Sequence, residues 1–130
     1  MALRTTCTKA ATWDASRSFA PWIRQTVGTG YEFHLLLLWL PSAGFAVQRV
    51  ADRIRMGGHG VATDVVRRRY RAGLSNFFKI YRPLAPTWHL YDNSRGSSPE
   101  LIASGVAPET MTVRDRGLWE YIRRGVSRGT

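Results

Sequence analysis

Residues 33–40, FHLLLLWL, constrain the fold of this chain more than any other stretch, because apolar side chains occupy both alternating faces apart from His34. An element covered on both sides reads this way, which predicts a strand within a parallel sheet rather than a half-exposed antiparallel one. A buried helix is the competing reading. The short length, with Gly30 before the run and Pro41 after it, favours the strand.

The segments that follow set this strand in a strand–helix–helix–strand order. Ser42 is placed to cap a helix running to about Met56. In it Ala43, Val47, Val50 and Ile54 form an apolar stripe, with Gln48, Arg49, Asp52, Arg53 and Arg55 on the other side. Asp52 lies at pairing distance in sequence from both Arg49 and Arg55. Gly57 and Gly58 stop this helix. A second begins near Thr63 or Asp64, whose oxygens are suited to capping. At about 100° per residue its Val66, Tyr70, Gly73, Leu74, Phe77, Ile80 and Tyr81 fall on one arc, and Pro83 and Pro86 end it.

Residues 88–91 form the next strand, 92–96 have turn chemistry, and 100–104 suit a further strand paired as a hairpin. Residues 115–124 close the chain as a helix with Leu118, Trp119 and Ile122 inward. Upstream, 18–25 reads as a short helix capped by Ser18 and ended by Gly28 and Gly30, and 1–12 are expected to be disordered. No repeat or linker divides the chain, so 1–130 is one domain, with enough apolar sequence, 44%, to bury a core.

The charge balance is unusual. Nineteen basic residues against nine acidic ones give +10, an excess that attracts polyanions. Only Lys9 and Lys79 are lysines, so the charge is almost wholly arginine, whose planar fork suits defined phosphate sites. A GC-rich coding bias enriches arginine equally. The single cysteine, Cys7, excludes an intrachain disulfide and a cysteine zinc site, which fits a reducing compartment. The longest fully apolar run, 35–40, is far below the roughly 20 residues of a membrane span. A cytoplasmic protein with no membrane partner is the expectation.

Three motifs carry possible chemistry. Arg67, Arg68, Arg69 and Arg71 crowd one turn of the second helix, where like charges repel unless anions lie among them. They read as a polyphosphate clamp or as a solvated basic face. Arg55-Met56-Gly57-Gly58-His59-Gly60 reads as a hinged lid over a nucleotide or as a helix stop. Asp92 and Asn93, at the end of a strand, stand where parallel sheets collect ligands, or form a plain turn. No G-x-x-x-x-G-K-[ST] phosphate loop, nucleophile elbow or catalytic triad occurs. A basic surface with five Trp and five Tyr keeps single-stranded nucleic acid as an alternative partner.

From Arg49 to Ser94 the sequence resembles the C-terminal half of bacterial zeta-toxin-like proteins, which are P-loop kinases. In that group an R-x-G-G-H-x-V-P segment precedes an I-x-R-R-Y helix, then N-F, then a Y-D-N-S strand. The matching residues here are Arg55, Gly57, Gly58, His59 and Val61; Arg68, Arg69 and Tyr70; Asn76 and Phe77; and Tyr91 to Ser94. Pro41-Ser42 and the 16–20 segment also fit, so the likeness extends over about 12–122 and is most specific over 49–94.

The resemblance implies an α/β, P-loop kinase-like parallel sheet flanked by helices, with a short lid and without the N-terminal strands that bear the phosphate loop. It implies ATP with Mg2+ and phosphoryl transfer to a small hydroxyl substrate such as a UDP-amino sugar. Arg55, Arg68 and Arg69 would serve catalysis; these three with Gly57, Gly58, His59 and Asn76 would hold the nucleotide; Asp92 and Asn93 would meet substrate. The departures are Ala62 in place of Pro, Thr12-Trp13-Asp14 in place of the family's threonine-leucine step, an unmatched 1–11 and the missing Walker A. They suggest a late start or frameshifted remnant, inactive as a kinase alone. They also imply an open sheet edge beside 33–40, able to pair with a P-loop-bearing chain or with another copy.

Overall fold

The computed structural model describes residues 20–30, 33–58, 60, 62–95, 98–106 and 110–128. The Ser18 cap, the disorder expected over 1–12, most of the 16–20 segment, the candidate ligand His59 and the matched Val61 lie outside them. Among the described residues five α-helices and four strands run in the order α1 (Ala20–Gly28), β1 (His34–Trp39), α2 (Ala43–Arg55), α3 (Thr63–Asn76), α4 (Arg82–Leu84), β2 (Thr87–Asp92), β3 (Glu100–Val106), β4 (Thr110–Val113) and α5 (Arg116–Arg128). A π-helical turn, Phe77–Tyr81, joins α3 to α4.

The strands form one open sheet in the order β1-β2-β3-β4. β1 and β2 are parallel, His34 lying beside Thr87 and Trp39 beside Asp92. β3 and β4 are antiparallel additions. The fold is therefore α/β as expected, but the sheet is mixed and only its β1–β2 pair is parallel. β4, absent from the sequence reading, follows β3 by a short connection and carries only two apolar residues, too few to show a strand period.

The expectation that β1 is covered on both sides is corrected. Leu35, Leu37 and Trp39 face the core, whereas Leu36 is 61% and Leu38 42% exposed. Both hydrophobic clusters draw on one face of the sheet, through Leu35, Leu37, Trp39, Trp88, Leu90, Ala103 and Val113. An unbroken leucine run satisfies either face, so its pattern cannot report that Leu36 and Leu38 stay exposed.

On the covered face the core is aromatic. Trp88 of β2 stacks on Trp119 of α5 with ring centres 5.6 Å apart and planes 16° apart. Phe77 meets Trp88 edge-on at 6.0 Å, and Phe78 lies 5.4 Å from Trp119. The π turn makes this possible. The Arg82 N–H donates to the Phe77 carbonyl, five residues back, and the widened turn buries Phe77, Phe78 and Tyr81 together. Phe78 lies off the arc that a regular helical period predicts. Pro83 follows at once, having no N–H to place.

Arg82 closes the cluster, its guanidinium 5.5 Å from the ring centres of Phe78 and Trp88 and 5.6 Å from that of Trp119. Burial, with Arg123 adding to it, lowers the Arg82 pKa, and its Nε has no hydrogen-bond partner. Attraction to three ring faces is its compensation.

A β-bulge sets α5 over this core. Leu90 opposes Ala103 but Tyr91 opposes Leu101, leaving Ile102 as the extra residue. Ile102 and Ala103 are both fully buried as a result. The Ile102 carbonyl accepts from the Arg114 N–H at 2.8 Å and the Asp115 N–H at 3.3 Å. Asp115, thus placed, caps α5 by accepting from the Leu118 N–H at 3.0 Å.

Opposite Trp88 on β3 stands Gly105, where a Cβ would lie 2.2 Å from the indole Nε1. Trp88 lies flat only because that position has no side chain. Gly105→Ala is expected to destabilise the protein by about 1–3 kcal/mol through overpacking. Gly125→Ala, in open space on α5, is expected to stabilise it by about 0.5–1 kcal/mol. Urea unfolding followed by tryptophan fluorescence measures both; equal stability of Gly105→Ala and the parent would contradict this seating of Trp88.

Candidate functional site

The carboxyl ends of β1 and β2 are where the longer helices are fastened. The Asn93 N–H donates to the Trp39 carbonyl at 2.9 Å, extending the parallel pairing by one residue. Arg49 of α2, packed 5.2 Å over the Phe45 ring, donates through Nη2 to the Asn93 carbonyl at 2.8 Å. Tyr70 of α3 donates its hydroxyl to the Leu40 carbonyl at 2.6 Å. Burial, and secondarily Tyr121, raises the Tyr70 pKa above its ordinary 10.0.

Around Tyr70 the α3 arginines turn outward. Arg67, Arg68, Arg69 and Arg71 are exposed, and none forms an ion pair with an acidic residue among those described. Four exposed guanidiniums within five positions form the densest run of arginines in the sequence. Asp64, in the first turn of α3, is the only acid on that helix. Helix α3 has no side-chain cap of the kind expected from Thr63 or Asp64; Ala62 holds the N-cap position.

Arg55 ends α2 and reaches 3.9 Å from Asp52, with both side chains exposed. Such a pair contributes about 0–1 kcal/mol and leaves the guanidinium available. Gly57 has φ +90°, donates to the Ile54 carbonyl at 3.0 Å, and is followed by Gly58 donating to Arg53 at 2.9 Å. These are the paired bonds of a Schellman stop. A Cβ at Gly58 would lie 2.7 Å from Arg53 Cγ. Both glycines thus have a structural duty in ending α2 between Arg55 and α3.

Asp92 and Asn93 are half-buried at the end of β2. The Asp92 Oδ1 accepts from the Ser94 N–H at 2.9 Å, forming a local turn. The backbone of Asn93 ties β2 to β1 and α2. Asp92 also borders an open cleft of about 800 Å³, whose other charged walls are Arg95, Glu100, Arg114, Asp115 and Arg116. Arg95 reaches Glu100 at 3.7 Å and Asp115 is committed to its cap, while Arg114 and Arg116 form no ion pair among the described residues. Sequence reasoning missed these arginines as a group. They come from two separate segments that only the hairpin and the bulge bring together, and the overall arginine excess was the one signal of them.

The fold therefore joins two of the expected parts. Arg55, Arg68 and Arg69 stand on helices that pack on each other, and Arg49 ties that helix pair to Asn93. Asn76 is set apart, half-buried at the far end of α3 and about 10 Å along the helix from Arg69 by its rise. Among the described residues no three His, Cys, Asp or Glu side chains gather at metal-binding spacing. The residues described do not by themselves build a magnesium site. No helix among them is long and apolar enough to cross a membrane.

No family model, no curated protein and no solved structure matches this chain.

The hydroxyl of Tyr70 is the fastening of α3 to β1, so Tyr70→Phe is expected to cost about 1 kcal/mol. It also changes the alkaline limb of stability. Because the folded pKa lies above 10.0, the neutral phenol's stabilisation is intact below pH 10.0 and is lost as pH rises through the folded value. The phenylalanine variant lacks that contribution, so its urea midpoint falls less steeply above pH 10.0 than the parent's. Identical slopes would remove Tyr70 as the source.

Proposed function

We propose that this chain binds a nucleotide polyphosphate through the arginines of α2 and α3, as the lid-bearing half of a zeta-toxin-like, P-loop kinase-type enzyme. The observation that carries the reading is the row of exposed, unpaired arginines on α3. That helix is fastened by Tyr70 to the carboxyl end of β1 in a parallel pair, where α/β sheets take their ligands.

Guanidiniums grip phosphate oxygens through two parallel hydrogen bonds, and several on one face stabilise the charge that builds on a transferred phosphoryl group. In this reading Arg68 and Arg69 meet the polyphosphate from α3 and Arg55 from the end of α2. Gly57 and Gly58 hold the connection between those helices short. Asp92 and the cleft beside it receive the hydroxyl substrate, which in zeta-toxin-like proteins is a UDP-amino sugar. The loop that cradles the β- and γ-phosphates in such kinases is not among these 130 residues. Phosphoryl transfer by these residues alone is therefore expected to be weak or absent, and a P-loop-bearing segment would have to complete the site.

Isothermal titration with ATP, ADP and AMP at fixed ionic strength tests the binding. Affinity is expected to rise with each added phosphate, and Arg68→Ala with Arg69→Ala to weaken ATP by at least about tenfold. Equal affinity for AMP and ATP, or ATP binding indifferent to the double substitution, would overturn the reading. The nucleic-acid alternative predicts that an oligonucleotide displaces ATP and binds with a steep inverse dependence on salt.

A further inference from the structure

We propose that the cleft between the β2–β3 hairpin and the head of α5 holds a phosphorylated sugar, with its phosphate gripped by Arg114 and Arg116 and a hydroxyl group donating to Asp92. The inference deepens the reading of that cleft as the place of the hydroxyl substrate, and rests on it for the location of the site. The anionic character of the ligand comes from the cleft's own residues.

The hairpin and the bulge assemble the cleft. Asp92, the last residue of β2, is in register with Glu100, the first of β3. Two residues further along β3, the Ile102 carbonyl receives the N–H groups of both Arg114 and Asp115. By strand rise that carbonyl stands about 7 Å from Glu100. The segment carrying Arg114 and Arg116 is thus moored beside the carboxyl end of β2. The space between them is about 800 Å³, a volume suited to a small molecule. It opens past the end of a strand of the parallel pair, where such sheets take their ligands. Tyr91, half-buried in the wall, supplies an aromatic surface beneath the polar groups.

Three bases and three acids border this cleft, and they are not equally engaged. Arg95 and Glu100, 3.7 Å apart, answer each other. Asp115 spends Oδ1 on the Leu118 N–H. Asp92 spends Oδ1 on the Ser94 N–H, and its Oδ2 accepts no hydrogen bond among the described residues. Arg114 and Arg116 are exposed, and their guanidiniums form no ion pair among the described residues. Two guanidiniums without counter-ions match a dianion. A phosphate monoester carries about −1.5 to −2 at neutral pH, with three acceptor oxygens for the two forks. A carboxylate brings one charge and leaves a fork unanswered. Asp92, in turn, rejects a ligand that is anionic throughout and accepts from hydroxyl groups. Phosphate at one end and hydroxyls at the other describe a phosphorylated sugar.

Isothermal titration without nucleotide, at fixed ionic strength, compares glucose 6-phosphate, glucose, glucuronate and inorganic phosphate. A chain of charge +10 draws in any anion, so the ratio between ligands is the readout. Glucose 6-phosphate is expected to bind at least about tenfold more tightly than each of the others. Arg114→Gln with Arg116→Gln is expected to weaken it by at least about tenfold. The thermal midpoint should stay near that of the parent, because both side chains are exposed. Asp92→Asn keeps an oxygen for the Ser94 N–H and is expected to lower the preference for glucose 6-phosphate over inorganic phosphate. Equal binding of those two ligands, no binding of either, or an affinity indifferent to the arginine substitutions overturns the proposal. So does an equal loss from Arg68→Ala with Arg69→Ala, which would put the phosphate on α3. With no ATP present, failure of ATP to bind at α2 and α3 leaves this result standing, and a cleft that ignores glucose 6-phosphate leaves the ATP titration intact.

Discussion

Trp88 seated on Gly105 is the contact on which the rest of this structure depends. Its indole would collide with any side chain at that position. Lying flat, it offers one face to Trp119 and an edge to Phe77. Arg82 then spans the rings of Phe78, Trp88 and Trp119, a cation held by quadrupoles with no carboxylate paired to it among the described residues. β2, β3, the π turn and α5 all meet at this point, so a fault there would unfasten elements distant in sequence.

The candidate site inherits its geometry from that core without sharing its residues. The π turn fixes the end of α3, and Tyr70 fixes its middle against β1. What remains of α3 is a surface of arginines that no acid among the described residues neutralises. Nine acids cannot offset nineteen bases, and several of those described are spent locally: Asp115 and Asp92 on backbone N–H groups, Glu120 on Arg123 and Arg124. Free positive charge beside the carboxyl end of a parallel strand pair is the condition for anion binding.

Much of the fold was legible from local chemistry. Ser42 caps α2 and Gly57 stops it, as their residue types require; Asp115 stands at the head of α5; the arc of α3 buries Gly73 and Phe77 and points Tyr70 at the sheet. The arginine row was legible as charge density alone. Its freedom from acids was not, because pairing depends on which elements lie beside it. Phe78 in the core, the extra residue at Ile102, and the Arg95, Arg114 and Arg116 side chains around one cleft were all hidden. Each follows from a departure from regular period, or from segments far apart in the chain.

By itself the sequence determined where α2 begins and ends, because the Ser42 cap and the Gly57 stop are satisfied within a few residues by bonds the local chain supplies. It also determined the α/β class, through a leucine-rich strand followed by amphipathic helices. Only the tertiary structure decided which face of β1 is covered, that the sheet is mixed, and that Arg82 lies among aromatic rings. Those outcomes are set by what packs across the sheet. A run such as Leu35 to Leu38 offers the same apolar surface to either side, and packing against the core takes Leu35 and Leu37 while Leu36 and Leu38 stay exposed.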